Sequence, residues 1–233
     1  MAKLEFEADA VLLDIEGTIS SQSFVIRVLY KYLHERLPAY VAAHRDDPEI
    51  QRILADTLAL AGDDSDPVET LLAWLAIDKK APPLKKIQGL IWEHGYAEGA
   101  FKGHIYDDAF AVLTRWRAAG VPLYIFSSGS LQSQIQFFQF NEAGDLRPLF
   151  SGHFDTDTGA KVVTDSYRKI AAAIDVPTER MLFFSDNPRE LVAAEAAGVQ
   201  RVQVLREDMP ADGRFAAIHS FEEVELTHWP KPA

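Results

Sequence analysis

Several short apolar runs along the chain end abruptly in small polar or acidic residues. Residues 10–13 (AVLL) run into Asp14, and residues 121–126 (VPLYIF) run into Ser127. Residues 181–184 (MLFF) lead to Ser185 and Asp186, and residues 199–205 close a later unit. The runs are apolar on both faces, which predicts buried parallel strands rather than half-exposed antiparallel ones. Helix patterns separate them. Residues 109–119 are rich in helix formers and stop at Gly120, a residue suited to the turn after a helix. Residues 166–174 follow Asp165, a candidate N-cap, and residues 188–197 open on Pro188 and close at Gly198. Strand and helix in alternation require crossover connections, so the expected class is α/β with a Rossmann-like parallel sheet.

The stretch from about Ser20 to Gly103 breaks this rhythm. Residues 24–37, 48–61, 68–76 and 83–96 read as helices, divided by turn and breaker residues at 63–66 and 81–83. We expect a helical cap, residues 20–103, inserted after the first strand of a core made of residues 1–19 and 104–233. The competing reading is one continuous fold with these as ordinary helices. As a cap, the insertion should close over the site, with Trp92 and Tyr96 facing the ligand.

Composition narrows the function. Apolar residues make up 48% and charged residues 25% of 233, as in an ordinary folded domain. The 23 Lys and Arg against 35 Asp and Glu leave a net charge of −12, which argues against nucleic acid as a partner. A phosphorylated small molecule needs only one or two local cations and stays possible. Cysteine is absent, so disulfides, thiolate metal sites and thiol nucleophiles are excluded together. No basic-then-apolar leader is visible. The one long uncharged stretch, residues 118–141, carries Ser, Gln and Gly throughout and does not suit a membrane span, so a cytoplasmic protein without a membrane partner is expected. A monomer is the expected state.

Asp14-Ile15-Glu16-Gly17-Thr18 follows the first buried strand. Two carboxylates this close repel unless a cation or a proton sits between them, and Gly17 permits the turn that brings them together. Taken alone, the same residues fit a solvated loop. Ser127 and Ser128 end the second run and open a helix, where hydroxyls and amides suit an anion, although Ser also caps helices routinely. Lys161 lies in a region rich in Asp, and Asp186 adds a third carboxylate at another strand end. Ligands of open parallel sheets bind outside the carboxyl ends of the strands. Asp14, Glu16 and Asp186 together suit a hard divalent cation, Mg²⁺, because every ligand is oxygen. His94, His104 and His153 lack the tight spacing of a metal site and read as core or surface residues.

In chain order, Asp14-x-Glu16-Gly17-Thr18, Ser127, Lys161 and Asp186 resemble the four motifs of the haloacid dehalogenase superfamily of phosphatases. Ile91-Trp92-Glu93-x-Gly95-Tyr96, Lys102-Gly103-His104, Gly152-His153-Phe154-Asp155 and the run from Lys161 to Ile170 are similar to the enolase-phosphatases of methionine salvage. Glu16, where most of the superfamily carries Asp, is the discriminating mark. The resemblance implies a Mg²⁺-dependent enzyme that enolises 2,3-diketo-5-methylthiopentyl-1-phosphate and removes its phosphate to leave acireductone. It implies Asp14 and Glu16 as catalytic residues, with Asp14, Glu16 and Asp186 as metal ligands. Ser127, Ser128 and Lys161 are implied for the substrate phosphate. Ile19 stands where a second Thr is expected, and the run from Asn187 to Glu190 departs from the usual one. A general phosphatase of the same superfamily, or a receiver-type signalling domain, would use a similar set; the latter needs no long helical insertion.

Overall fold

The computed structural model describes residues 3–62, 65–207 and 209–227. Asp63 and Asp64 of the expected turn lie outside the described residues. The chain divides into two compact units: residues up to Gln22 with those from Gly103 on, and Ser23–Lys102.

The strands of the first unit are β1 (Leu4–Glu7), β2 (Ala10–Leu13), β3 (Leu123–Phe126) and β4 (Gly152–Phe154), then β5 (Met181–Ser185), β6 (Gln200–Val204), β7 (Ala217–Ile218) and β8 (Val224–Thr227). Six form a sheet in the order β4-β3-β2-β5-β6-β7, and every pairing is parallel. Strand β2 lies at the centre, with Leu12 beside Tyr124 of β3 and Phe183 of β5. The chain leaves β2 for one side of the sheet and later returns to its other side, so the topology switches there. The four runs read from the sequence are β2, β3, β5 and β6. The third and fourth residues of VPLYIF begin β3, since the sheet pairing starts at Leu123. Strands β1 and β8 pair in a separate two-stranded sheet; their alternating polar residues hid them from the search for apolar runs.

The second unit holds α1 (Gln22–Phe24), a π-helical turn (Val25–Tyr30), α2 (Lys31–Ala43), α3 (Pro48–Ala61), α4 (Pro67–Ala76) and α5 (Pro82–Ala97). Asp47 and Asp66 cap α3 and α4, each followed by Pro at the first helical position. The first helical pattern runs past Leu37 to Ala43, with Pro38 inside α2. Leu33, Leu37 and Val41 form one buried stripe across that proline, so burial carries the helix through it. Trp92 and Tyr96, expected at the ligand, are instead core residues of this unit. The Trp92 indole donates to the Leu29 carbonyl at 3.0 Å, and Tyr96 meets the Phe101 ring edge-on at 4.6 Å.

The remaining helices of the first unit are α6 (Asp107–Ala118), α7 (Leu131–Gln139), α8 (Thr164–Ile174) and α9 (Pro188–Ala196). Gly120 and Gly198 take positive φ after α6 and α9, as their positions suggest. Asp165 does not cap α8: Val163 holds the cap position, and Asp165 sits in the first turn, 3.5 Å from Lys169. Acidic residues are also favourable in a first turn, so composition alone does not separate the two places. On one face of the sheet Leu12, Phe126, Tyr167, Ile170, Phe183 and Leu191 belong to one buried cluster. Elsewhere in the unit Trp116, Phe184 and Phe221 make a mutual aromatic group. Leu12→Ala should therefore cost about 2–5 kcal/mol, read as a lower urea midpoint with an unchanged slope.

Candidate active site

The carboxyl ends of β2, β3 and β5 carry Asp14, Ser127 and Asp186 respectively. The Asp14 amide donates to the Phe184 carbonyl at 3.0 Å, tying the exit of β2 to β5. The chain then turns sharply. The Ile15 carbonyl accepts from the amides of Thr18, Ile19 and Ser20, and Gly17 takes φ 76°. A Cβ at Gly17 would collide with the Asp186 carboxylate, so glycine is required both by conformation and by contact. Ile19, in place of the expected Thr, is fully buried.

Inside the turn, Thr18 links the two acids. Its hydroxyl donates to Asp14 Oδ2 at 3.2 Å and accepts from the Asp186 amide at 3.1 Å. Lys161 Nζ is hydrogen-bonded to Asp14 Oδ1 and lies 2.8 Å from Glu190 Oε2. Tyr167 holds this lysine's segment by donating to the Lys161 carbonyl at 2.7 Å and to the Glu190 carbonyl at 3.2 Å. Glu190 also accepts from the Ser185 hydroxyl at 2.8 Å and from Asn187 Nδ2 at 3.3 Å.

Two carboxylates thus contact one cation in a buried space, and Asp186 adds a third acid close by. Burial first, then the charge of Glu16, pushes the Asp14 carboxyl above its usual range, against the pull of Lys161. Asp186 is pushed up to about 7 by burial and by the charges of Asp14 and Glu190. Burial and Asp14 raise Glu190 as well. Burial alone would lower the Lys161 ammonium, but Asp14 and Glu190 outweigh it and hold the group above its ordinary value. The cluster carries more negative charge than its lysine neutralises, and only oxygen ligands line it. That donor set fits a hard divalent cation.

Glu16 does not join this carboxylate group through a hydrogen bond. Its Oε2 accepts from the Ser127 hydroxyl at 3.4 Å, which places it between the β2 and β3 ends. Among the described residues no three His, Asp or Glu side chains form a ready metal cage. Asp14 and Asp186 can supply side-chain ligands, and a contribution from residue 16 would come from its carbonyl.

The loop after β3 is braced from several sides. The Gly129 amide donates to Ser127 Oγ at 3.1 Å, and the Leu131 amide to Asp155 Oδ2 at 3.3 Å. Gln134 Nε2 donates to the Gly129 and Phe154 carbonyls at 2.9 and 3.0 Å. Ser128 is half-buried in the same turn and has no hydrogen bond to another site residue. The three histidines are scattered. His94 is exposed beside Glu98, His104 accepts from the Ser21 amide, and His153 meets Gln134. Sequence reading had no place for Thr18 and Glu190. Glu190 carried no distinguishing signal, because an acid in a helix's first turn is ordinary.

Buried acids, hydroxyls and one lysine at the ends of parallel strands make a site suited to a phosphate beside a hard cation. The family model of haloacid dehalogenase-like hydrolases matches residues 8–198. An enolase-phosphatase E1 from a Bradyrhizobium strain is 60% identical over 97% of both chains. One from Pseudomonas aeruginosa is 45% identical over 92% of this chain and 97% of its own. The crystal structure of the UTR4 protein from Saccharomyces cerevisiae superposes with a TM-score of 0.78 at 32% identity, covering 92% of this chain and 99% of the other. The chain belongs to the haloacid dehalogenase-like hydrolases and, within them, to the enolase-phosphatase E1 family.

Gly17→Ala tests the turn. A left-handed conformation costs a non-glycine residue roughly 1–2 kcal/mol, and the collision with Asp186 adds to it. The variant should melt earlier than wild type and lose most of any stabilisation by millimolar Mg²⁺. A melting curve and Mg²⁺ response equal to wild type would contradict the close approach.

Proposed function

We propose that this protein is a Mg²⁺-dependent enolase-phosphatase that converts 2,3-diketo-5-methylthiopentyl-1-phosphate to acireductone and phosphate. The observation that carries the reading is the pairing at the β2 exit: a buried Asp14 held by Lys161 and Thr18, with Glu16 two residues on against Ser127. The likeness to relatives bearing that enzyme name supports the choice of substrate.

Asp14 is the nucleophile. Its carboxylate oxygen forms a bond to phosphorus as the bond from phosphorus to the substrate's C1 oxygen breaks. Glu16 gives its proton to that departing oxygen. In the second half a water attacks phosphorus, the Asp14–phosphorus bond breaks, and Glu16 takes the water's proton. Asp14 and Asp186, with the backbone oxygen of residue 16, would hold Mg²⁺, which would supply charge neutralisation to the phosphoryl group. Lys161 leaves its bond to Asp14 Oδ1 free for reaction by turning to the phosphate, and Glu190 keeps it in reach. Ser127 and Ser128 hold the remaining phosphate oxygens. Enolisation needs a base at the carbon that loses its proton, and Glu16 is the residue we assign.

The reading implies that Asp14→Asn abolishes phosphate release while the protein stays folded, because an amide is neither a nucleophile nor a ligand of comparable charge. Turnover near wild type would remove Asp14 from the reaction. Mg²⁺ should raise the melting temperature of wild type, since it binds only where the carboxylates converge; insensitivity to both Mg²⁺ and EDTA would count against the cluster.

Glu16 separates the two chemistries. Glu16→Gln should slow dephosphorylation ~10²–10⁴-fold, the usual contribution of a general acid and base, while Mg²⁺ binding through the backbone survives. Glu16→Asp restores charge but shortens reach by one methylene. It should retain hydrolysis of a simple phosphate ester yet process the diketone phosphate poorly, followed by phosphate release beside enol absorbance. Equal use of both substrates by wild type would instead favour a general phosphatase.

A further inference from the structure

Arg206 lies two residues past the end of β6 and is nine-tenths buried, yet it contacts no group assigned a chemical role above. Its donors are spread over three partners. Nε donates to the Thr18 carbonyl at 3.2 Å, Nη1 to the His219 carbonyl at 3.0 Å, and Nη2 to Asp108 Oδ2 at 2.9 Å. The guanidinium also lies 4.2 Å from the centre of the Tyr106 ring. Asp108 is fixed in turn, since its Oδ2 accepts from the Phe221 amide at 2.8 Å.

Glu207, the next residue, grips the same loop three residues further on. Its carboxylate accepts from the Ser21 hydroxyl and, at 3.1 Å, from the Tyr106 hydroxyl. Glu207 holds φ at 47°, one of three non-glycine residues with positive φ among those described. Such a conformation is costly and persists where surrounding contacts impose it. The residues after β6 therefore hold the catalytic turn at both its middle and its end.

We propose that Arg206 is the positioning residue of the catalytic turn: by fixing the Thr18 carbonyl it aims the Thr18 hydroxyl that links Asp14 to Asp186. Thr18 connects the guanidinium to the Asp14 carboxylate and to the Asp186 backbone amide. Glu207 acts with it by fixing the chain at Ser21. A lysine at 206 could reach one of the three acceptors but could not span them, because it lacks the planar fork. The inference rests on the reading that Asp14 and Asp186 hold Mg²⁺ and that Asp14 attacks phosphorus.

The test compares wild type with Arg206→Lys, Arg206→Met, Thr18→Val and the Arg206→Met/Thr18→Val double variant. Two quantities are read: the Mg²⁺ dissociation constant from melting-temperature titrations, and kcat and KM on an aryl phosphate. Residues that orient metal ligands typically cost ~10–100-fold in metal affinity or activity when replaced. Arg206→Met should weaken Mg²⁺ and lower kcat within that range, leave KM within about threefold, and Arg206→Lys should recover part of the loss. The double variant should be no worse than the worse single variant, because both act through one linkage. Val224→Ala, which truncates a core residue of the same unit, should lower stability without changing Mg²⁺ affinity.

Unchanged Mg²⁺ affinity in Arg206→Met, additive losses in the double variant, or the same weakening in Val224→Ala would each overturn the proposal. Should Arg206→Met fail to fold, Arg206→Lys carries the same comparison. If wild type hydrolyses no phosphate ester but Mg²⁺ weakens as expected, the positioning role stands and the proposed reaction falls.

Discussion

A lysine ammonium enclosed by carboxylates, almost out of reach of water, is the interaction on which the rest of the site depends. Lys161 and Asp14 are 6% and 4% exposed, and desolvating either ion alone would cost several kcal/mol. Each is tolerable only because the other is in contact with it. Glu190 and Asp186 add negative charge that the one lysine does not cancel, so the cluster is poised to accept a cation and, with Lys161 turned outward, a phosphate. Binding and charge balance are here the same requirement.

That requirement explains the precision of the β2 exit. Carboxylates can share cations only at fixed distances, and the turn after Asp14 sets those distances through atoms that carry no charge. Gly17 gives the Asp186 carboxylate room, and the Thr18 hydroxyl ties Asp14 to the Asp186 amide. Arg206 and Glu207 hold the turn from behind. The parallel sheet supplies the frame, since β2, β3 and β5 end side by side and deliver Asp14, Ser127 and Asp186 to one edge.

Much of this was legible in the sequence, for physical reasons. Strands buried on both faces read as apolar runs, so β2, β3 and β5 stood out, and the chemistry sits where those runs stop. The weakly alternating β1 and β8 did not stand out, and the first helical pattern, read to residue 37, stopped short of a buried stripe that continues across Pro38. At the site, Asp14, Ser127 and Asp186 were visible because charge or hydroxyl at the end of an apolar run is unusual. Glu16 was visible because a second acid follows Asp14 before Gly17, and Lys161 because it lies in a region rich in Asp. Glu190 and Arg206 were not, since an acid in a helix's first turn and an arginine after a strand are ordinary. What distinguishes them is the partner that only the fold brings near. Trp92 and Tyr96 show the reverse error: large aromatic residues suggested a ligand pocket but fill a core.

A bond between Asp14 and phosphorus is the central step of the proposed reaction. Wild type mixed with the diketone phosphate and Mg²⁺, quenched in acid during turnover and treated with borohydride, would have any acyl phosphate reduced to an alcohol. Peptide mass analysis should then find homoserine in place of aspartate at position 14, and only when substrate is present. Active enzyme that yields no homoserine, or yields it at another aspartate, would contradict Asp14 as the nucleophile.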